Sequence, residues 1–448
     1  MLFQTSGEPD NNHMLFTLLA KLSVASFGLS EFTLRLPTLL GFAVFLGGIK
    51  LVLQRLVPGW VQVIGIAAIG LNPYLVDYFS IARGYGLALG LMTLGLACLI
   101  AAMCDTPGAV GLGKARAALF LFALAALANL AFLLPLLAAI AIVCSPMLDR
   151  RARSTYAAQL RQTWAMVWPI LPILLYLIRP MVVLARKGLL AAGGNRGFWL
   201  DTVGSLIDGT SDAGAYLAEA RWPFIAWIAA VTLIAPFVLA SLRAADRRRF
   251  AALAIVGGML LLAAVGSVAQ HWIFGVALLE GRRALFFIPL FLLFALALAA
   301  VPRVAPRPLV AAALAVGILA PSLLIVHNLS AMNLRYVRDW KFDAASRETM
   351  LATKAWLAAH PLRGPARMRV NWILGPSSNF YRATLGLESL LLPIDWRERP
   401  GFEGVADLYY VETRDEQAIA KFDVRILQRS TVAGTSLLER APASSRAP

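Results

Sequence analysis

The 448-residue chain is poor in charge: only 15% of its residues are Asp, Glu, Lys or Arg, against roughly 25% in soluble domains, while 59% are hydrophobic. That balance excludes intrinsic disorder, which needs the opposite composition. It also excludes a string of water-soluble domains, whose cores could not hide so much apolar surface. Cysteine is scarce as well. Cys98, Cys104 and Cys144 lie in or beside apolar runs without C-x-x-C spacing, so neither a disulfide framework nor a zinc site is indicated. A phosphate-binding loop is missing, because Gly-Leu-Gly-Lys at 111–114 has the wrong spacing, and no G-x-S-x-G or H-E-x-x-H occurs. Fixed-period repeats are lacking too.

What the chain has is a row of ten apolar runs, at about 34–54, 60–79, 84–103, 117–129, 131–145, 163–183, 222–242, 250–270, 284–301 and 308–327. Most approach the ~20 residues a helix needs to cross a bilayer. The stretch around Asn129 and Pro135 is too long for one span and short for two, and reads as a hairpin of two short helices. The predicted fold is a polytopic α-helical membrane protein of about ten transmembrane helices with a small periplasmic α/β C-terminal domain. Residues 1–33 form an outer-side loop and interfacial helix, 34–327 the bundle with an outer loop at about 184–221, and 328–448 the α/β domain with a disordered tail. In that domain Asp343 is expected to cap a helix running to Ala359, stopped at His360-Pro361. Strands are expected at Met368–Leu374, Leu408–Val411 and Val424–Leu427.

The net charge of +16 invites a nucleic-acid reading, but Lys and Arg sit in short clusters between apolar runs rather than along one stripe. No nucleic-acid partner is expected; membrane lipid is. Arg55, Lys114, Arg116, Arg150, Arg151, Arg153, Arg161, Arg243, Arg247–Arg249, Arg303 and Arg307 fall in one set of loops, and Arg83, Arg282 and Arg283 in the other. The positive-inside rule then places the first set in the cytoplasm of a bacterium and both termini outside its inner membrane. Residues 1–13 are polar and acidic with no basic signal region, and Met14–Ser30, interrupted by Lys21, reads as an interfacial helix. Their outside location needs either a span upstream of Met1 or translocation of a short tail.

Residues 11–42, NNHMLFTLLAKLSVASFGLSEFTLRLPTLLGF, and residues 71–96, LNPYLVDYFSIARGYGLALGLMTLGL, carry a resemblance. The first is similar to the "NH…LL…FG.SE…LRLP" pattern after the first outer-loop helix in the GT-C superfamily of polyprenyl-phosphate-dependent glycosyltransferases, more narrowly the bacterial mannosyltransferase-type branch. The second resembles the "P…S..aR.Y/D.L" pattern of the next span pair. The resemblance implies outer interfacial helices framing a cavity at the membrane surface. It also implies a polyprenyl-phosphate-sugar donor, a glycan, lipid or protein acceptor, and a carboxylate base early in the first outer loop. The chain departs from the pattern by lacking the span before that loop, and by having Gly84-Tyr85 where a second Asp often follows the Arg.

Glycosyl transfer from a phosphate needs a base for the acceptor hydroxyl and cations or a metal ion for the leaving phosphate. Asp10 is the candidate base, or a ligand for Mg or Mn, set against a solvated terminus shared with Glu8. Asn12 and His13 are candidates for a phosphate or sugar hydroxyl. Asp77 and Arg83 stand at the outer end of a span, beside Tyr85, as substrate contacts or as a mutual salt bridge. Arg35, Arg282 and Arg283 are candidate phosphate clamps, with interfacial snorkelling as the alternative. Trp199, Trp222 and Trp272 read mainly as belt aromatics. Two other classes stay open: an O-antigen ligase or polymerase, and a lipid or solute transporter. The near absence of ionisable residues inside the spans disfavours transport. An inactive relative acting as a scaffold is a further alternative.

Overall fold

A computed structural model describes residues 13–104, 109–145, 156–191, 193–211, 221–302, 304–396 and 400–441. The chain divides into two compact units between Met332 and Asn333.

The first unit is helical. Helix α1 (Met14–Phe27) stops at Gly28, whose φ of +80° suits glycine. Helix α2 (Glu31–Leu56) opens with a reciprocal cap: Thr33 N–H donates to Ser30 Oγ (3.1 Å) and Ser30 N–H to Thr33 Oγ1 (3.0 Å). Helices α3 (Gly59–Gly70) and α4 (Pro73–Ser80) meet at a 63° bend. Asn72 makes that bend a helix start, its side chain accepting Leu75 N–H, with Pro73 where no donor is needed. There follow α5 (Gly84–Cys104), α6 (Ala109–Ala128), α7 (Leu133–Cys144), α8 (Tyr156–Val167), α9 (Leu171–Arg186), α10 (Gly204–Ser211), α11 (Arg221–Ala245) and α12 (Arg247–Phe274). Helix α13 (Phe287–Leu298) comes next. Helices α14 (Arg307–Leu314) and α15 (Ala320–Ala331) run on through a π-helical turn at Ala315–Leu319. The wider turn leaves the Val316 carbonyl to accept from Trp227 Nε1–H at 2.9 Å.

Among the described residues seven helices are long and apolar enough to cross a membrane, eight if the bent α3–α4 pair counts as one span. The shorter apolar stretches Leu130–Cys144 and Phe287–Leu298 complete a polytopic bundle of about ten. The expected hairpin around Asn129 is present, but its first helix is not short. Helix α6 begins at Ala109, because Lys114 and Arg116 continue the helix instead of forming a loop. Arg116 Nε–H is satisfied by the Ala165 carbonyl at 2.7 Å.

Helices α2 and α5 approach backbone to backbone. A Cβ at Gly41 would lie 2.9 Å from Leu87 Cα, and one at Gly48 would lie 2.6 Å from Thr93 Oγ1. A Cβ at Gly90 would collide with the Gly41 carbonyl. In a bilayer, where apolar burial does not drive helices together, such close contact of small residues supplies the packing.

The second unit is a four-stranded sheet, β1 (Met368–Val370), β2 (Leu408–Glu412), β3 (Val424–Ser430) and β4 (Thr435–Arg440), in the order β1-β2-β4-β3. Strands β1 and β2 are parallel and the other pairings antiparallel. Central β2 is covered on both faces. Leu408 and Tyr410 join Met350, Leu357 and Leu374 in one core, while Tyr409 and Val411 join Phe402, Ile419 and Leu438 in the other. Helices α16 (Ser346–Ala359) and α17 (Gly375–Thr384) flank β1 in sequence, and α18 (Glu416–Ile419) follows β2. Asp343 does not cap α16, whose N-cap is Ala345. Its carboxylate accepts from the hydroxyls of Ser346 (2.5 Å) and Ser377 (2.6 Å) instead. The strand expected to reach Leu374 ends at Val370, where the Asn371 side chain accepts Ile373 N–H and starts a 3₁₀ turn.

Replacing Gly90 by Val should separate α2 from α5 and cost about 1–3 kcal/mol or more. The expected result is a lowered melting temperature and poor recovery of the detergent-solubilised protein. Gly47→Ala is the control, because nothing lies within 4 Å of a Cβ there and it should melt like the parent.

Candidate functional site

Helix ends far apart in sequence converge on His13. It precedes α1, and its Nδ1 lies 3.0 Å from the carbonyl of Ala128 at the end of α6. Its ring meets the edge of Tyr85 at 5.1 Å. Tyr85 in turn packs on Tyr78 at 4.9 Å, and Tyr78 on Tyr74 at 5.5 Å, so an aromatic row runs from α4 through the start of α5 to His13. Gly84 permits this junction. A Cβ there would collide with the Ala128 carbonyl and crowd His13 Cβ, so no side chain has room at this position. The Thr38 hydroxyl donates to the Arg83 carbonyl at 3.2 Å and steadies the same turn.

Arginines surround the row. Burial, then Arg83, push the His13 imidazole down to about 4, with the Ala128 carbonyl pulling the other way and Arg282 adding a smaller downward push. Burial also lowers Arg83 and Arg283, and Arg282 adds to it in both cases. Tyr85 acts the other way on both, as does Glu280 on Arg283. Three guanidinium groups sharing a partly desolvated site raise one another's electrostatic energy, and an anion among them lowers it.

Residues 193–211 brace the turn Gly281–Ala284 that carries Arg282 and Arg283. Gly194 and Leu278 exchange backbone hydrogen bonds of 3.3 and 2.9 Å. Thr202 Oγ1–H donates to the Leu279 carbonyl (2.6 Å), and Gly281 N–H donates to Ser205 Oγ (2.8 Å). The brace is locked by Asp201, whose side chain is 1% exposed. It accepts from Arg196 N–H (2.6 Å), Gly197 N–H (3.1 Å) and Arg196 Nε–H (3.0 Å). Burial pushes the Asp201 carboxyl up, but these bonds and the Arg196 charge outweigh it and hold it below the ordinary 3.8. A Cβ at Gly194 would strike the Asp201 carboxylate, and Gly193, at φ +152°, leaves space for the Arg283 guanidinium. Sequence reasoning passed over this segment as a loop. Its signal was the Gly-Gly-Asn-Arg-Gly run, followed four residues later by an Asp able to accept from the turn.

Below the arginine turn, α13 lines a cleft of about 300 Å³ with Phe287, Ile288 and Phe291, faced by Phe198, Trp199 and Trp227. Its walls are almost wholly apolar, with Asn72, Thr202, Thr210 and Thr232 as the polar residues along them.

The structure therefore gathers His13, Arg83, Tyr85, Arg282 and Arg283. Asp77 is half-buried on α4, where its carbonyl accepts the Ser80 hydroxyl at 2.7 Å. Arg35 stands one turn into α2 and pairs with Glu31 at 3.5 Å, an i,i+4 surface pair. Asp10 and Asn12 lie outside the described residues. Trp199 lines the cleft, while Trp222 and Trp272 stand apart from it, 77% and 80% exposed. Among the described residues no three His, Cys, Asp or Glu are grouped to hold a metal ion.

No protein-family model and no curated protein matches the chain in sequence. Two solved structures are similar to it. ArnT from Cupriavidus metallidurans bound to undecaprenyl phosphate is 15% identical over 96% of this chain and 87% of that one, with a TM-score of 0.40. The apo state of the same protein is 14% identical over 95% and 87%, with a TM-score of 0.39.

The Asp201 lock carries a pH signature. A carboxyl held below its unfolded value stabilises the fold fully above pH 3.8, and that contribution is lost as pH falls through the lower folded value. Protection of residues 193–211 against hydrogen exchange, taken relative to the free-peptide rate at each pH, should therefore stay constant from neutral pH down to about 4 and fall below it. In Asp201→Asn the same segment should exchange about tenfold faster than the parent above about pH 4, the difference shrinking in more acid solution, with α5 unaffected.

Proposed function

We propose that the protein is an integral membrane glycosyltransferase of the polyprenyl-phosphate-dependent kind, moving a sugar to an acceptor hydroxyl at the outer face of a bacterial inner membrane. The observation that carries this reading is one element with two chemistries. The turn Gly281–Ala284 presents Arg282 and Arg283 to the His13 cluster, and the helix it leads into, α13, lines the apolar cleft. An amphiphile with an anionic head and a long hydrocarbon tail fits that arrangement, and a polyprenyl phosphate is such a molecule. The motifs at residues 11–42 and 71–96 support the same reading and favour the mannosyltransferase-type branch. They also supply the cluster, because His13, Arg83 and Tyr85 all lie within them.

In the proposed reaction the acceptor oxygen attacks the anomeric carbon as the bond to the carrier phosphate breaks. Negative charge grows on the departing phosphate, where Arg83, Arg282 and Arg283 stabilise it. Guanidinium groups suit this role, since they stay charged even when burial lowers them and can meet two phosphate oxygens at once. The prenyl phosphate monoester leaves as a weak base, so no acid is needed on the leaving side. The apolar cleft holds the start of the prenyl chain and so orients the head.

A strain lacking the gene should accumulate one glycosyl-phosphate lipid and lose the matching sugar from its surface glycans, both read by mass spectrometry. That lipid identifies the sugar. Accumulation of a pyrophosphate-linked oligosaccharide would instead indicate a ligase, and unchanged lipids and glycans would leave a transporter. In the purified protein, Arg282→Ala and Arg283→Ala should each weaken undecaprenyl phosphate binding by about tenfold or more, the worth of a charge-assisted hydrogen bond.

A further inference from the structure

Within that transferase reading, we propose that His13 is the general base that takes the acceptor proton, and that donor phosphate settling against Arg83 and Arg282 prepares it for the task. The geometry assigns the tautomer. The Ala128 carbonyl can only accept, so Nδ1 carries the hydrogen of the 3.0 Å bond and the lone pair sits on Nε2. That Nε2 is buried and has no hydrogen-bond partner among the described residues. A histidine kept only for packing has no need of an orphaned acceptor, since buried polar groups are ordinarily paired. Tyr85 packs against the ring at 5.1 Å, and the backbone at Gly84 lies close beside His13 Cβ. A backbone carbonyl on one imidazole nitrogen and an open lone pair on the other is the arrangement that orients a histidine base. Buried His327 is also tied to a carbonyl, that of Thr210 at 2.9 Å, but its ring faces Phe224 rather than arginines.

The groups that face His13 explain why the base waits for the donor. Arg83 comes from the α4–α5 junction, Arg282 from the turn before α13, Tyr85 from α5 and the Ala128 carbonyl from α6. With the site empty, burial and the two cations keep the imidazole neutral and weakly basic, at about 4. An anionic phosphate among the same arginines cancels much of their field, and basicity returns toward the ordinary 6.5, where proton abstraction is efficient. The acceptor is thus activated only when a donor is in place. In the step itself the acceptor O–H proton moves to Nε2, and the oxygen pair forms the bond to the anomeric carbon. The carbon–phosphate oxygen bond breaks with its electron pair passing to the phosphate. The imidazolium then returns its proton to the released phosphate or to water. Nε2 is shielded from solvent in the empty protein, so the acceptor must displace a neighbouring side chain to reach it.

The test is a titration of the full-length protein in nanodiscs with isotopically labelled histidine, the His13 signal being identified by its loss in His13→Gln. The ring should carry its proton on Nδ1, titrate near 4 alone, and rise by about one unit or more with saturating undecaprenyl phosphate. Binding of undecaprenyl phosphate without that rise, or a proton on Nε2, overturns the proposal and leaves the donor reading standing. If the parent protein does not bind undecaprenyl phosphate, the donor reading fails and the phosphate-prepared base with it. His13→Gln should bind undecaprenyl phosphate within about threefold of the parent yet fail to restore surface glycan to the deletion strain. Purified His13→Ala should regain transfer with added imidazoles, faster for the more basic ones, which a packing role would not produce. Parental glycan levels with His13→Gln would overturn the assignment.

Discussion

Holding several guanidinium groups together where water is scarce is the constraint on which this end of the bundle depends. Arg83 and Arg283 each carry a desolvation cost and feel the charge of Arg282, so side-chain packing alone does not place them. The backbone beneath them is correspondingly over-determined. Thr38 holds the Arg83 carbonyl, and the reciprocal bonds of Gly194, Thr202 and Ser205 hold the segment from Leu278 to Gly281. Asp201, locked among donors of its own, keeps that brace in shape. A backbone fixed this way holds the guanidinium groups in place, and the proposed stabilisation of a leaving phosphate draws on that preorganisation.

Small residues do the complementary work. Gly84 brings α5 against α6 and His13 together, and the Gly41, Gly48 and Gly90 contacts bring α2 against α5. Both junctions place backbone where a side chain would otherwise stand, and both are needed for the aromatic row from Tyr74 to His13 to reach the arginines. The C-terminal unit follows soluble-protein rules by contrast: a central strand buried on both faces, two apolar clusters, and a 3₁₀ turn started by the Asn371 side chain.

Several site residues were legible because their chemistry contradicted their surroundings. Arg282 and Arg283 stood in a loop set otherwise poor in cations, and His13 stood beside an apolar helix, and both belong to the cluster. Arg35 looked equivalent by position, yet a carboxylate one turn away in its own helix, Glu31, takes it up locally. The Gly84-Tyr85 pair read as a departure from the pattern that the sequence resembles. It is a packing requirement, since the Ala128 carbonyl occupies the space of a side chain at 84. The segment from Gly193 to Asp201 was missed because its residues bond to a turn about eighty positions away.

By itself the sequence determined that the chain is a polytopic membrane protein, roughly where its spans begin and end, and that a smaller mixed domain follows. These properties are local. Twenty apolar residues cross a bilayer whatever their neighbours, and alternation or capping decides a strand or helix within a few positions. The boundaries that failed, at α6 and Asp343, failed where a distant carbonyl or hydroxyl satisfied a polar group that local rules had used as a stop signal. Only the tertiary structure decided which charges meet. His13, Arg83 and Arg282 are separated by 70 and 199 residues, and the field each exerts on the next depends on ångström distances that no spacing in the chain encodes.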